Sequence, residues 1–239
     1  SPENYSRYAE SFTKPYGMIL VTGPTGSGKS TTLYATLNII NRPEVNIITV
    51  EDPVEYRLAG VSQIQTNPKA GLTFASALRS ILRSDPDIVL IGEIRDHETA
   101  RIAIEASLTG HLVLTTLHTN DAPSAVTRLA EMGIEPFLVG SALDCVLAQR
   151  LARRLCSSCR EEYKPTPETL TAARFPWDPS GPIPVLFRSK GCAKCAGTGY
   201  RGRVALHEVM QMSETIERMA VERATTAEIT SAARAEGMQ

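Results

Sequence analysis

The chain has 239 residues, with 25 Lys and Arg against 26 Asp and Glu and a net charge of -1. At 42% hydrophobic, with 16 Gly and 15 Pro, it is neither a disordered chain, a collagen-like fibre nor a low-complexity linker. Its length fits one large domain with a smaller addition. Near-neutral charge argues against nucleic-acid binding through bulk positive charge, and no apolar run approaches the roughly 18 residues of a membrane span.

The opening residues, SPENYSRYAE, lack the pattern of a secretory signal. Residues 1–16 are polar, carry no strong period and read as a linker, and both ends read as cuts in a longer protein. From residue 17 to about 133, short apolar runs alternate with amphipathic stretches. The runs at 18–22, 45–50, 87–91 and 112–117 fit strands buried on both faces. The stretches at 29–41, 74–84, 98–108 and 122–132 fit helices. Such alternation predicts a parallel sheet covered on both sides. Residues 136–155, PFLVGSALDCVLAQRLARRL, read as one more helix with a basic end. The Cys-, Pro- and Gly-rich stretch 156–203 then breaks the pattern. Residues 204–239 return to a strand followed by helix, the last helix opening on the capping box Thr225-Thr226-Ala227-Glu228. Four segments are expected: a linker 1–16, a core 17–150, a cysteine lobe 151–203 and a C-terminal segment 204–239.

The segment GPTGSGKS at 23–30 fits G-x-x-x-x-G-K-[ST] at every fixed position. It follows an apolar run and precedes a helix, the strand–loop–helix setting that a phosphate loop needs. Its glycines let successive N–H groups point at a phosphate, and the helix N-terminus adds positive charge. The nucleotide cradle is therefore assigned to Gly23, Pro24, Thr25, Gly26, Ser27, Gly28, Lys29, Ser30 and Thr31. Lys29 should reach the β- and γ-phosphates, and the Ser30 hydroxyl should ligate Mg2+.

Two acidic groups sit at strand ends. Glu93 closes the run DIVLIGE, on the side where ligands of open α/β sheets lie. It is the second candidate for holding Mg2+. Asp87 begins the same run and reads as structural. The cluster Glu51-Asp52-Pro53-Val54-Glu55 follows the apolar run at 45–50, the strand after the phosphate-loop helix, and a carboxylate there can orient and deprotonate an attacking water. Spacing alone leaves Glu51 and Glu55 both open. His118 closes the run HLVLTTLH on the nucleotide side, where it can meet a γ-phosphate. Taken alone, a His at a strand end is more often structural, and His97 and His207 receive no role.

Two C-x2-C pairs, Cys156 with Cys159 and Cys192 with Cys195, have residues 160–191 between them. Together they offer a closed four-thiolate set typical of structural Zn2+. Disulfides are the alternative, but a nucleotide-binding chain works in a reducing compartment. Cys145 lies in an apolar stretch and reads as core.

In this order, GPTGSGKSTTLYATL, ITVEDPVEY, DPDIVLIGEIRD, SLTGHLVLTTLHTNDA and the pair CSSC and CAKC followed by GTGYRGR resemble the bacterial secretion ATPases of type II secretion and type IV pilus assembly. The resemblance implies an α/β fold: a RecA-like P-loop core with a parallel-rich sheet, a small tetracysteine zinc lobe and C-terminal helices. It implies the motor domain of a homo-hexameric ring that hydrolyses ATP at subunit interfaces and moves an inner-membrane platform protein. The family's boxes map onto 23–30, 48–56, 87–96 and 109–121. By position Glu55 is the water-activating acid, Glu93 the Walker B acid and His118 a neighbour of the γ-phosphate. The four cysteines match the insert of the assembly and secretion branch, which retraction ATPases usually lack. An N-terminal domain that supplies arginines to the γ-phosphate in known members is expected outside this chain. The same resemblance implies a cytoplasmic protein, peripheral to the inner membrane through partners, with no nucleic-acid partner and no membrane insertion. The alternatives are a RecA-type nucleic-acid motor, with Arg153, Arg154, Lys190, Lys194, Arg201 and Arg203 as its basic patch, and a small-molecule kinase.

Overall fold

A computed structural model describes all residues 1–239. It divides into two units: Ser1–Arg150 with Leu206–Gln239, and Leu151–Ala205.

In the first unit, helix α1 (Pro2–Phe12) leads to β1 (Gly17–Thr22), α2 (Lys29–Ile40), β2 (Ile47–Glu51) and β3 (Ser62–Gln65). Then come α3 (Phe74–Ile81), β4 (Ile88–Ile91), α4 (His97–Leu108), β5 (Leu112–Leu117), α5 (Pro123–Glu131) and α6 (Pro136–Ala142). Strand β6 (Leu143–Leu155) starts in this unit, and its residues 151–155 belong to the second. The second unit holds β7 (Glu161–Tyr163), α7 (Pro167–Ala172), β8 (Leu186–Arg188) and the start of β9 (Tyr200–Gln211). After β9, α8 (Glu214–Val221) and α9 (Thr226–Ala235) complete the first unit.

The main sheet runs β3-β2-β4-β5-β1-β6-β9. The pairs β2–β3, β2–β4, β4–β5, β1–β5 and β1–β6 are parallel. Its strands alternate between two cores. Met18, Leu20, Ile48, Val50, Val89, Ile91 and Val113 face a cluster shared with helices α3 to α6, α8 and α9. Ile19, Val21, Ile47, Ile88, Leu90, Leu112 and Leu114 face a second cluster with α1 and α2. This is the two-sided burial that continuous apolar runs imply. Parallel strands with the same polarity bring the ends of β1, β2, β4 and β5 to one edge, and that edge carries every acidic and phosphate-binding motif.

Two sequence expectations require correction. Residues 1–16 are not a featureless linker: Ser1 caps α1, and Tyr8 and Phe12 pack into the second core with their rings edge-to-face at 5.2 Å. Each such side chain, once buried, contributes about 1.5–3 kcal/mol. Residues 136–155 are not one helix: α6 stops at Ala142, and β6 then lies parallel to β1 through Leu143, Cys145, Val146, Leu147 and Ala148. The Leu- and Ala-rich composition favours a helix locally, and pairing inside a covered sheet overrides it. Strand β3, SQIQ, carries little apolar signal and is only partly buried, so hydrophobic patterning does not reveal it. The capping box at Thr225 is present: its hydroxyl accepts from Glu228 N–H, and the Glu228 carboxylate accepts from Thr225 N–H at 2.8 Å.

The second unit is small. Strands β7 and β8 form an antiparallel pair, and Glu161 bridges Lys190 at 2.5 Å and Arg188 at 3.6 Å.

Candidate nucleotide site and tetracysteine centre

Strand β1 delivers the chain to a loop whose backbone only glycine tolerates at its ends. Gly23 has φ +139°, and a Cβ there would stand 2.2 Å from the Gln149 carbonyl oxygen. Gly28 caps α2 at φ 89°. The Ser27 N–H donates to the Pro24 carbonyl at 3.1 Å, which closes the turn. The Lys29 ammonium donates to the carbonyls of Gly23, 2.9 Å away, and Pro24, 3.1 Å away, so its charge lies folded over the loop. Burial holds Lys29 below its ordinary pKa, and the nearby Glu93 carboxylate partly opposes this. Ser30 and Thr31 are exposed at the first turn of α2, where free N–H groups and the helix dipole favour an anion.

Glu93 lies just past β4 and collects the other charged groups. Its carboxylate accepts from the Arg95 guanidinium at 2.5 Å and stands 3.5 Å from His118 Nε2. Burial pushes the Glu93 carboxyl up, but Arg95 and His118 outweigh it and hold the group below the usual carboxylate range. The segment is fixed by backbone bonds to both neighbouring strands. Gly92 N–H donates to the Val50 carbonyl at 2.8 Å, Ile94 N–H to the Thr116 carbonyl at 3.0 Å, and the Thr116 hydroxyl to the Gly92 carbonyl at 2.7 Å. Arg95 feels Asp52 as well as Glu93, so the acidic turn after β2 lies on the same side.

The two acids of that turn differ. Glu51 is buried at 4% exposure. Its carboxylate accepts from the Tyr34 hydroxyl, from the Thr49 hydroxyl at 2.6 Å and from the Gln63 amide at 3.2 Å. Glu55 is exposed, and its backbone N–H donates to the Tyr34 hydroxyl at 3.3 Å. The carboxylate with free lone pairs is therefore Glu55.

The pattern reading missed three residues. Gln149 on β6 is buried; its amide donates to the Ser27 carbonyl at 2.7 Å and its carbonyl accepts from the Thr32 hydroxyl at 2.6 Å. Arg95 lies two residues past Glu93 and pairs with it. Tyr34 is 1% exposed; its spacing from Ser30, one helical turn, was the available signal.

In the second unit the sulfurs of Cys156, Cys159, Cys192 and Cys195 all lie within 4.8 Å of one another, and none forms a disulfide. Cys195 Sγ is 3.8 Å from both Cys159 Sγ and Cys192 Sγ. Four thiolates about 2.3 Å from a tetrahedral ion stand about 3.8 Å apart, so the donor set fits one Zn2+. The N–H groups of Cys192 and Gly199 each donate to Cys195 Sγ at 3.2 Å, which favours its thiolate form. Of the basic residues nearby, Arg153 lies 4.0 Å over the Tyr200 ring and Lys190 is paired with Glu161. Cys145 is fully buried in the first unit, as expected of a core residue.

Residues 1–239 match the family described as type II/IV secretion system protein. The chain belongs to that family. Among its relatives, the type IV pilus assembly ATPase PilB of Thermus thermophilus is 52% identical over 239 residues, 100% of this chain and 27% of that protein. The type II secretion system ATPase E of Vibrio cholerae is 53% identical over 216 residues, 90% of this chain and 42% of that protein. The chain thus spans well under half the length of these relatives. Among solved structures, the pilus retraction motor PilT with bound ADP shares 29% identity at a TM-score of 0.70, covering 95% of this chain and 56% of that one. The VirB11 ATPase of Brucella suis, in complex with sulphate, shares 26% identity at a TM-score of 0.54, over 62% of this chain and 48% of that one. The mixed α/β fold with a mostly parallel sheet is that of these family members.

Proposed function

We propose that this chain binds and hydrolyses ATP, and that within the full-length protein it is a motor domain of a homo-hexameric ring powering type IV pilus assembly or type II secretion. The observation that carries the proposal is the gathering of Lys29, Glu93, Arg95 and His118 beside a glycine loop, with Glu55 exposed on the adjoining turn.

The residues divide the work as follows. Residues 23–31 cradle the phosphates through backbone N–H groups, and Lys29 exchanges its two carbonyl partners for the β- and γ-phosphates. Ser30 and Glu93 would hold Mg2+, which neutralises phosphate charge when bound. Glu55 takes a proton from water as its oxygen bonds to the γ-phosphorus and ADP leaves. Glu51, buried and already bonded to three donors, holds the turn rather than the water. His118, beside Glu93, reads the state of the γ-phosphate.

Several features support the assembly or secretion branch. Identity is 52–53% to the pilus assembly and type II secretion relatives against 29% to the retraction motor, and the tetracysteine unit, which would hold one structural Zn2+, is the insert expected of that branch. No helix is long and apolar enough to cross a membrane. In this reading the motor is cytoplasmic, held at the inner membrane through a platform protein, and has no nucleic-acid track.

The test is ATP turnover by the full-length protein with Lys29→Ala beside it. Loss of turnover and of nucleotide binding is expected. Unchanged turnover would exclude this loop as the ATP site.

A further inference from the structure

We infer that Tyr34 is a positioning residue for hydrolysis: its hydroxyl ties the helix that begins at the phosphate loop to the turn that carries Glu55. The inference rests on the reading of Glu55 as the water-activating acid.

Tyr34 sits one turn past Ser30 on α2, so the helix that holds the phosphates also holds this hydroxyl. The ring is 1% exposed and meets Tyr56 edge-to-face at 4.7 Å and 77°. The hydroxyl donates to the Glu51 carboxylate at the end of β2 and accepts from Glu55 N–H and from Gln63 Nε2, each at 3.3 Å. Gln63 extends the same network: its two amide hydrogens are shared among Tyr34, Glu51 at 3.2 Å and the Tyr56 carbonyl at 3.1 Å, and its carbonyl accepts from Leu58 N–H at 2.7 Å.

The turn therefore has its backbone pinned at 55, 56 and 58, the first by Tyr34 and the other two by its direct partner Gln63. The side chain of Glu55 is itself exposed, so its position is set by its backbone. A buried hydrogen-bonded network of this kind specifies one arrangement because every alternative leaves a polar group unpaired. The negative charge of Glu51 makes the Tyr34 bond the charge-assisted one, and burial with Glu51 beside it keeps the phenol protonated as the donor. Tyr34 thereby couples the position of α2 to that of Glu55 through hydrogen bonds.

The experiment uses Tyr34→Phe in the full-length protein, which keeps the ring and removes the hydroxyl. Expected is a fall in kcat of about tenfold or more, since small misplacements of a reacting group cost up to about a hundredfold. The KM for ATP and the affinity for a non-hydrolysable analogue should stay within about twofold, because Tyr34 touches no phosphate-binding group. In a Glu55→Ala background the same change should have no further effect on residual turnover, the signature of two residues acting through one another. Additive losses, or an unchanged kcat for Tyr34→Phe, would overturn the inference. If Tyr34→Phe fails to fold, Gln63→Met removes the partly exposed half of the network. It should lower kcat with the KM unchanged, and an unchanged kcat overturns the inference equally. Normal turnover by Glu55→Ala would instead defeat the assignment of the base, a separate outcome read from the single variant.

Discussion

The side-chain amide of Gln149, on β6, donates to the backbone carbonyl of Ser27 inside the phosphate loop across 2.7 Å. The same side chain accepts from Thr32 on the first turns of α2. One buried residue from a neighbouring strand thus braces both the loop and the helix that follows it.

Gln149→Leu should leave the Ser27 carbonyl and the Thr32 hydroxyl without their partners, at a cost of about 1–3 kcal/mol for a buried polar group left unpaired. Thermal unfolding should report that loss, and nucleotide affinity, read by titration with a fluorescent ATP analogue, should fall. Unchanged values for both would remove Gln149 from the site.

Gly23→Ala tests a second contact between the loop and β6, the one with the Gln149 backbone carbonyl. The new Cβ would meet the Gln149 carbonyl at 2.2 Å on a backbone at φ +139°. A strained backbone conformation alone costs about 1–3 kcal/mol, so the variant should melt lower and lose ATP binding. Retention of both would mean that the loop relaxes freely.

The Glu93 carboxyl is held below the usual range because Arg95 and His118 outweigh the effect of its burial. A depressed folded-state pKa contributes stability that is fully present above the unfolded value, about 4.3, and is lost as pH falls through the folded one. Arg95→Gln should therefore raise the Glu93 titration midpoint, followed by carboxyl 13C shifts, and shrink the Glu93 share of stability near neutral pH. A midpoint unmoved by Arg95→Gln would show that the pair does not govern Glu93.

For the tetracysteine centre, elemental analysis should find about one zinc per chain after reducing, chelator-free preparation. Cys159→Ser should lower that number, and limited proteolysis should then open within 151–205 while the first unit stays protected. A metal-free wild-type chain with an intact second unit would contradict the assignment.

How much of this was legible in the sequence follows from how local each signal is. The phosphate loop, strands β1, β2, β4 and β5 and the cap at Thr225 are written in contiguous residues, and the structure has them within a few positions. Strand β6 was not legible because LDCVLAQRLARRL has a helix-former's composition, and only its pairing with β1 makes it a strand. Misreading it hid Gln149, whose partners lie far off in the chain. Helix α1 had a signal that was overlooked: Asn4, Tyr8 and Phe12 recur every four residues and are all buried. The choice between Glu51 and Glu55 could not be made from spacing, since it turns on which carboxylate Tyr34, Thr49 and Gln63 occupy.

The central claim is that Glu55 activates the water, and single-turnover hydrolysis by the full-length protein tests it most directly. Glu55→Ala should keep ATP bound while the chemical step slows by about 10²–10⁴-fold, the range for removal of a general base. Hydrolysis at a near wild-type rate by Glu55→Ala would contradict the account.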